Sequence, residues 1–259
     1  MTLFDLTGKT AIITGATKGI GRAIASRMAE HGANVVVSSR KADMCEEVAQ
    51  DINDNWAKNG GEAAPIACHI SHHDQLQSLV DKTVERFEGL DILVCNAAVN
   101  PFFGKLQDIP DSAFDKIMET NIKSNHWLCR MSRPHIAARG GGSIMIISSI
   151  GGLRASVNLG AYGISKAADL AIARNLAFEY GPDKIRVNAI APGLVRTDFA
   201  RALWEDEERV KRQNAKTPLG RLGEPDEIAG VAVMLASDAG SYVSGQSIAV
   251  DGGLTIATS

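Results

Sequence analysis

Short apolar runs alternate with amphipathic stretches along almost the whole chain, and this alternation leaves few folds open. Lys9–Thr14, Ala33–Ser39, Ala63–Cys68, Asp91–Cys95, Ser143–Ile147, Ile185–Ile190 and Ser247–Val250 read as strands. Between them, Ile20–Glu30, Ala42–Lys58, His73–Phe87, Ser112–Ala138, Ala161–Tyr180 and Pro225–Ala236 read as helices. Val35-Val36-Val37 sets three β-branched residues in a row with no polar alternation, which marks a strand buried on both faces. Strands joined by helices require right-handed crossovers, so the expected fold is α/β: a doubly wound, seven-stranded parallel sheet with helices on both faces. No Pro/Ser-rich linker, charge block or internal repeat divides the 259 residues, which are expected to form a single domain over 1–259. Only the span 197–222 breaks the rhythm, being too long for an ordinary connection. It carries Phe199, Leu203 and Trp204 ahead of Glu205-Asp-Glu-Glu-Arg209, and a short helical substrate lid is expected there.

Composition removes several classes of function. A hydrophobic fraction of 45% with 22% charged residues suits a soluble protein with a sizeable core. A formal charge of −3 offers no basic excess for nucleic acid. No window approaches the roughly 18 apolar residues of a membrane span. Met1–Leu6 does not resemble a secretory signal and Ala257-Thr258-Ser259 is not a peroxisomal address, so the cytoplasm is the expected location. Cys45, Cys68, Cys95 and Cys129 are widely spaced and read as small core residues kept reduced. His69, His72 and His73 form the one histidine cluster, but adjacent side chains point apart and no further ligands converge, so no metal is expected.

The first strand runs into Thr14-Gly15-Ala16-Thr17-Lys18-Gly19-Ile20-Gly21 and then into a helix. Missing side chains let a pyrophosphate approach the backbone, and the helix N-terminus offers free N–H groups and partial positive charge. A glycine turn in this place predicts a dinucleotide site on a Rossmann-type sheet, with Gly15, Thr17, Lys18, Gly19, Ile20 and Gly21 around the phosphates. The second strand ends Ser38-Ser39-Arg40-Lys41, with none of the acids that would bind adenosine ribose hydroxyls. Lys18, Arg40 and Lys41 are expected to converge where a 2′-phosphate would sit, beside Ser39, so NADP(H) is favoured over NAD(H).

Tyr162 and Lys166 stand four residues apart near the start of a helix and share one face. A phenol with a pKa of about 10 is a poor base near neutrality. A neighbouring ammonium and an oxidised nicotinamide both favour its phenolate; in the opposite direction the phenol donates its proton to a carbonyl oxygen as hydride reaches carbon. Ser149, just past the fifth strand, is placed to hold the substrate oxygen beside Tyr162.

Thr14-Gly15-x-x-x-Gly19-Ile20-Gly21, Asn96-Ala97, Asn121, Ser149, Tyr162-x-x-x-Lys166 and Pro192-Gly193, in register from residue 8 to about 253, together resemble the short-chain dehydrogenase/reductase family. Asn96-Ala-Ala-Val-Asn-Pro-Phe-Phe-Gly104, Ser148-Ser149-Ile150, Arg201-Ala-Leu-Trp204 and Arg221-Leu-Gly-Glu-Pro225 look like its tetrameric NADPH-dependent carbonyl/retinal reductase branch. The resemblance implies a catalytic set of Asn121, Ser149, Tyr162 and Lys166. In that set Asn121 positions a water against Lys166, and Lys166 also holds the nicotinamide ribose. It places Pro192, Gly193, Val195 and Thr197 around the nicotinamide carboxamide, and Asn96, Ala97 and Ala98 near the adenosine ribose. It also implies a homotetramer. Two departures stand out. Ala98 replaces a glycine common in the family, and His69-Ile70 occupies the place of an aspartate that meets adenine, which puts that contact in doubt.

Ile150, Leu153, Phe103, Leu159, Phe199, Leu203 and Trp204, with Val99 and Phe102, lie on loops around the inferred site and predict a substrate with a hydrophobic part. Ketones, diketones, aldehydes and retinoid-like carbonyls fit. The alternatives are a 3-oxoacyl-carrier-protein reductase, a secondary-alcohol dehydrogenase and, in a different class, a non-catalytic NADP(H) sensor or scaffold.

Overall fold

The computed structural model describes residues 3 to 257. Met1, Thr2, Thr258 and Ser259, and with them part of what the two chain ends suggested, lie outside the described residues. The strands are β1 (Thr10–Thr14), β2 (Asn34–Ser38), β3 (Ala63–Pro65), β4 (Ile92–Cys95), β5 (Gly142–Ile147), β6 (Ile185–Pro192) and β7 (Ser247–Val250). All pair in parallel, in the spatial order β3-β2-β1-β4-β5-β6-β7.

Successive strand residues point to opposite faces, and each face is covered by its own helices. Ile13, Val35, Val37, Val94 and Met145 pack with α1 (Gly19–Glu30), α2 (Ala42–Asn55) and α9 (Pro225–Ala236). Ile12, Val36, Leu93, Ile144 and Val187 pack with α3 (His73–Phe87), α5 (Ser124–Ala138) and α6 (Gly160–Tyr180). This two-sided burial is why the strands read as unbroken apolar runs. Among the described residues, no helix is long and apolar enough to cross a membrane.

Three elements differ from the sequence expectation. The third strand stops at Pro65, which lacks the N–H that would continue the ladder. The chain still follows β2, with the Ile66 amide on Val37 O at 3.1 Å and the Cys68 amide on Ser39 O at 2.9 Å. The long helix expected over Ser112–Ala138 is divided into α4 (Asp111–Met118), one π-helical turn over Glu119–Lys123, and α5. Such wider turns recur at functional sites, and this one carries Asn121. The segment after β6 forms two short helices, α7 (Arg201–Trp204) and α8 (Glu207–Lys216), because Asp206 starts a new helix by accepting the Arg209 amide at 3.0 Å.

Strand order reverses at β1, between β2 on one side and β4 on the other. In open α/β sheets the crevice beyond the strand ends at such a point binds ligands. The loops after β1, β2, β4, β5 and β6 all gather there.

Candidate active site

The loop after β1 is tied to its neighbours before any ligand is considered. The Asn96 side-chain amide, just past β4, donates to Thr14 O at 2.8 Å and Gly15 O at 3.2 Å. The Thr14 hydroxyl in turn accepts from the Asn96 and Ala97 amides at 3.0 and 3.1 Å. Gly15 and Gly19 have φ of +65° and +56°, which side-chain-bearing residues rarely adopt. At Gly21 a Cβ would overlap the Gly15 carbonyl oxygen and the Asn96 amide. Asn96, expected near a ribose, is thus also the clamp of the glycine turn. The N-terminus of α1 carries no side-chain cap and no acid in its first turn, and the Ser38 hydroxyl at the end of β2 is buried without a partner. Free amides and an orphan hydroxyl in this crevice fit a pyrophosphate and an adenosine ribose.

The three cations meet different surroundings. Arg40 and Lys41 follow β2, are exposed, and have no ion-pair partner among the described residues. Lys18 instead reaches Asp198, 3.8 Å away, because that carboxylate stands over the glycine turn. His69 and Ile70 lie beyond β3. The His69 ring accepts the Ser71 amide at 3.3 Å, and burial, then His72, Lys116 and Arg40, lowers its pKa. Thr197 closes this side, its methyl carbon 3.1 Å from where a Cβ on Gly19 would lie. Gly193 and Val195 lead there from the end of β6 at Pro192. The Gly193 amide is held on Val250 O at 3.0 Å, and Val195 bridges to Gly223.

Ser149, Tyr162 and Lys166 come together where the turn after β5 presses on α6. A Cβ on Gly152 would lie 2.6 Å from the Lys166 carbonyl carbon, and one on Gly163 would lie 2.8 Å from Gly151 O. Glycines on both sides therefore allow two backbones to touch. The Ser148 hydroxyl fastens the contact from β5, donating to Lys166 O at 2.7 Å. The Ser149 hydroxyl accepts the Gly151 amide at 3.0 Å and lies close enough to the Tyr162 phenol to favour its charged form. Lys166 Nζ lies 5.7 Å from the Tyr162 ring centre, buried, and donates to Ile147 O at 2.8 Å.

Lys166 has a second partner that the sequence pattern did not flag. Its Nζ donates to Asp169 Oδ2 at 2.9 Å, and the other Asp169 oxygen accepts Asn125 Nδ2 at 3.0 Å. Asp169 sits three residues past Lys166 and Asn125 four past Asn121, so helical spacing carried the signal. Burial works against the Lys166 ammonium, and Asp169 and the phenol reverse it, leaving its pKa raised. Tyr162 is raised by burial, lowered by Lys166, raised by Asp169 and lowered by Ser149, with a net rise. At neutral pH the phenol therefore carries its proton. Asn121 is buried in the π turn, and among the described residues its side chain hydrogen-bonds Val99 and Ser165 and not Lys166. It accepts the Val99 amide at 2.8 Å and donates to Val99 O and the Ser165 hydroxyl, both at 3.0 Å.

Apolar side chains rim this centre. Phe199 stands with its ring centre 6.2 Å from that of Tyr162. The loop carrying Ala98 and Phe103 joins the loop carrying Leu159 through a bridge between Gly104 and Leu159. Phe103 meets the Arg209 guanidinium of α8 at 5.5 Å, and Leu153 and Phe199 are exposed. Ile150 opens the turn after β5, and Leu203 is half-buried on α7. Trp204 departs from expectation. Its indole N–H donates to Thr197 O at 2.8 Å, and its ring lines an open cleft of about 460 Å³ with Arg22, Ala23 and Trp56, on the α1 side.

Residues 15–255 match a family model described as enoyl-(acyl carrier protein) reductase. The chain is 42% identical over 251 residues to dehydrogenase/reductase SDR family member 4 of Bos taurus, covering 96% of this chain and 88% of that protein. It is 40% identical to the Caenorhabditis elegans protein of that name, covering 95% of each. The chain belongs to the short-chain dehydrogenase/reductase family. Among solved structures, a 7α-hydroxysteroid dehydrogenase in complex with NADH and 7-oxo glycochenodeoxycholic acid superposes with a TM-score of 0.91 at 38% identity, covering 97% of this chain and 96% of that one. A Burkholderia cenocepacia gluconate 5-dehydrogenase in complex with NADP and tartrate superposes with a TM-score of 0.93 at 31% identity, covering 99% and 98%. This short-chain dehydrogenase/reductase is accordingly an oxidoreductase acting on CH–OH or C=O groups.

Proposed function

We propose that this oxidoreductase uses NADP(H) to reduce a hydrophobic ketone, diketone or aldehyde to its alcohol, reversibly, with Tyr162 as the proton donor. The observation that carries this reading is the meeting of Ser149, Tyr162 and buried Lys166 at the end of β5. Ser149 orients the carbonyl oxygen against the phenol, Tyr162 gives it a proton, and Lys166 steadies the negative charge left on the phenol. When bound, the nicotinamide cofactor supplies the hydride. Gly15, Thr17, Gly19, Ile20 and Gly21 hold its phosphates, with Lys18 alongside; Pro192, Gly193, Val195 and Thr197 face its nicotinamide end, and His69, Ile70, Ala97 and Ala98 its adenosine end. Asn121 acts through the π turn, and Lys166 also binds the nicotinamide ribose. Arg40 and Lys41, without an ion-pair partner among the described residues and with no acid at the end of β2, favour the 2′-phosphate. Phe103, Phe199 and Leu153 around the mouth favour an apolar substrate.

We read residues 1–259 as a single domain whose segment 197–222 closes over the substrate. It would work as a cytoplasmic homotetramer, for which exposed Phe178 on α6 offers an apolar face. A carrier-protein substrate is disfavoured, because Arg201 is already paired with Asp198 and Glu205.

The test is loss of reduced-cofactor absorbance with NADPH or NADH and a panel of an aromatic diketone, an acetoacetyl thioester and retinal. Turnover that prefers NADPH and falls about 10²–10⁴-fold in Tyr162→Phe is expected. Equal turnover in Tyr162→Phe would remove the tyrosine from the chemistry, and a preference for NADH would remove the role of Arg40.

A further inference from the structure

Tyr162, Lys166 and Asp169 lie in a row along α6, and the proton transfer proposed above makes no use of the last. Asp169 has 0% exposure, on a helix whose other buried residues are, apart from Lys166, small, apolar or uncharged. A lone carboxylate in such a place is strongly unfavourable unless paired and hydrogen-bonded. Here both oxygens accept, one from Lys166 Nζ and one from Asn125 Nδ2; burial raises the Asp169 pKa, and these two contacts act against that rise and favour the charged form. Asn125 is itself fixed, its amide also donating to Asn121 O at 2.7 Å. A continuous chain of bonds thus runs from the π turn through Asn125 and Asp169 to Lys166 and ends on Ile147 O. Of the three Lys166 donors, Ile147 O and Asp169 engage two, which leaves one for the space before Tyr162.

We propose that Asp169 is a built-in counter-charge that fixes Lys166 in place and offsets its field at Tyr162, keeping the phenol protonated to higher pH and setting the site for proton donation. The proposal rests on Tyr162 being the proton donor. Asp169 is here a positioning residue, acting on the chemistry only through Lys166 and the local field. Around the phenol, α6 contributes Lys166 and Asp169, the turn after β5 contributes Ser149, and the segment after β6 contributes the uncharged Phe199. From β4, Cys95 faces the ion pair; Cys129 of α5 and burial hold its thiol well above the usual range, so it adds no charge. Lys166 and Asp169 are therefore the two full charges acting on Tyr162, with opposite signs.

The test needs neither substrate nor cofactor. Tyrosinate absorbance is titrated against pH in the wild type and in Tyr162→Phe, and the difference isolates Tyr162 from Tyr180 and Tyr242. In the Asp169→Asn background the same difference should show phenolate forming about tenfold more readily, with a midpoint about one pH unit lower. Asn125→Ala, which loosens the carboxylate but keeps its charge, should leave the midpoint in place. An unmoved or raised midpoint in Asp169→Asn overturns the proposal, and so does an equal shift in Asn125→Ala, which would make the effect one of packing. Should Asp169→Asn fail to fold, Lys166→Met with Asp169→Leu replaces the pair by apolar side chains of similar size, a change that buried pairs often tolerate. Its midpoint should stay near that of the wild type, because two opposed fields vanish together, and a rise beyond about one unit overturns the proposal. Turnover untouched by Tyr162→Phe would remove the proposed reaction while leaving this titration result standing.

Discussion

The glycine turn and the segment between β6 and α9 face each other across the crevice, yet they are built in opposite ways. Around the turn, Asn96 and Thr14 lock two strand ends together and a single methyl group has nowhere to go. Across from it, α8 has no buried residue. Its segment is held by exposed pairs such as Lys18–Asp198 and Arg201–Asp198 and by the Phe103–Arg209 contact. Such exposed contacts, screened by solvent, stabilise little. One side is therefore a fixed mould, and the other carries a helix with no buried residue.

The sharpest way to break this contrast is on the fixed side. Asp169→Ala strands the buried Lys166 ammonium and should cost about 3–5 kcal/mol in a denaturant titration; a loss under 1 kcal/mol would mean the pair is not rigidly held. Gly21→Ala should cost about 1–3 kcal/mol by overpacking and remove cofactor binding measured by fluorescence or calorimetry. Full binding in that variant would show that the turn gives way more easily than its contacts indicate. Arg40→Ala should weaken NADPH binding about 10- to 100-fold, the loss of one or two charge-assisted bonds, and leave NADH binding unchanged.

Smaller effects sharpen the other half. Where the segment rejoins α9, Arg221 grips Glu227 at 2.6 and 2.8 Å. This grip, with the Glu224 amide, holds the Glu227 carboxyl at about 2 in place of 4.5. A folded pKa below the unfolded one contributes stability that is present above about pH 4.5 and fades as pH falls through about 2. Because both side chains are about half exposed, Glu227→Gln should cost below ~1 kcal/mol at neutral pH and nothing at pH 2, as acid-unfolding curves would reveal. Phe199→Ala should leave stability within about 0.5 kcal/mol and change KM for bulky carbonyls more than for small ones. A large stability loss there would move this segment to the fixed side.

What the sequence made legible follows the same division. The strands could be read because burial on both faces permits only apolar residues, and the glycine turn because backbone conformation restricts residue type at fixed spacing. Pro65 shortened β3, and the π turn at Asn121 split a helix that periodicity alone shows as one, since a one-residue widening barely disturbs the apolar stripe. Asp169 and Asn125 escaped notice because each polar residue alone reads as helix surface; their helical spacing from Lys166 and Asn121 was the one hint, and packing brings them together. The contacts of Trp204 and Lys18 could not be read ahead because they are made with Thr197 O and Asp198, partners in a segment that no core pattern constrains.

The touching backbones at Gly151, Gly152 and Gly163 have a consequence for how such a protein can diversify. The gap between Ser149 and Tyr162 is gauged by main chain against main chain, so no side-chain exchange at Phe103, Leu153 or Phe199 need retune it. On the proposed reading, the rim can be redrawn for new molecules while the spacing of Ser149 and Tyr162 keeps its dimensions.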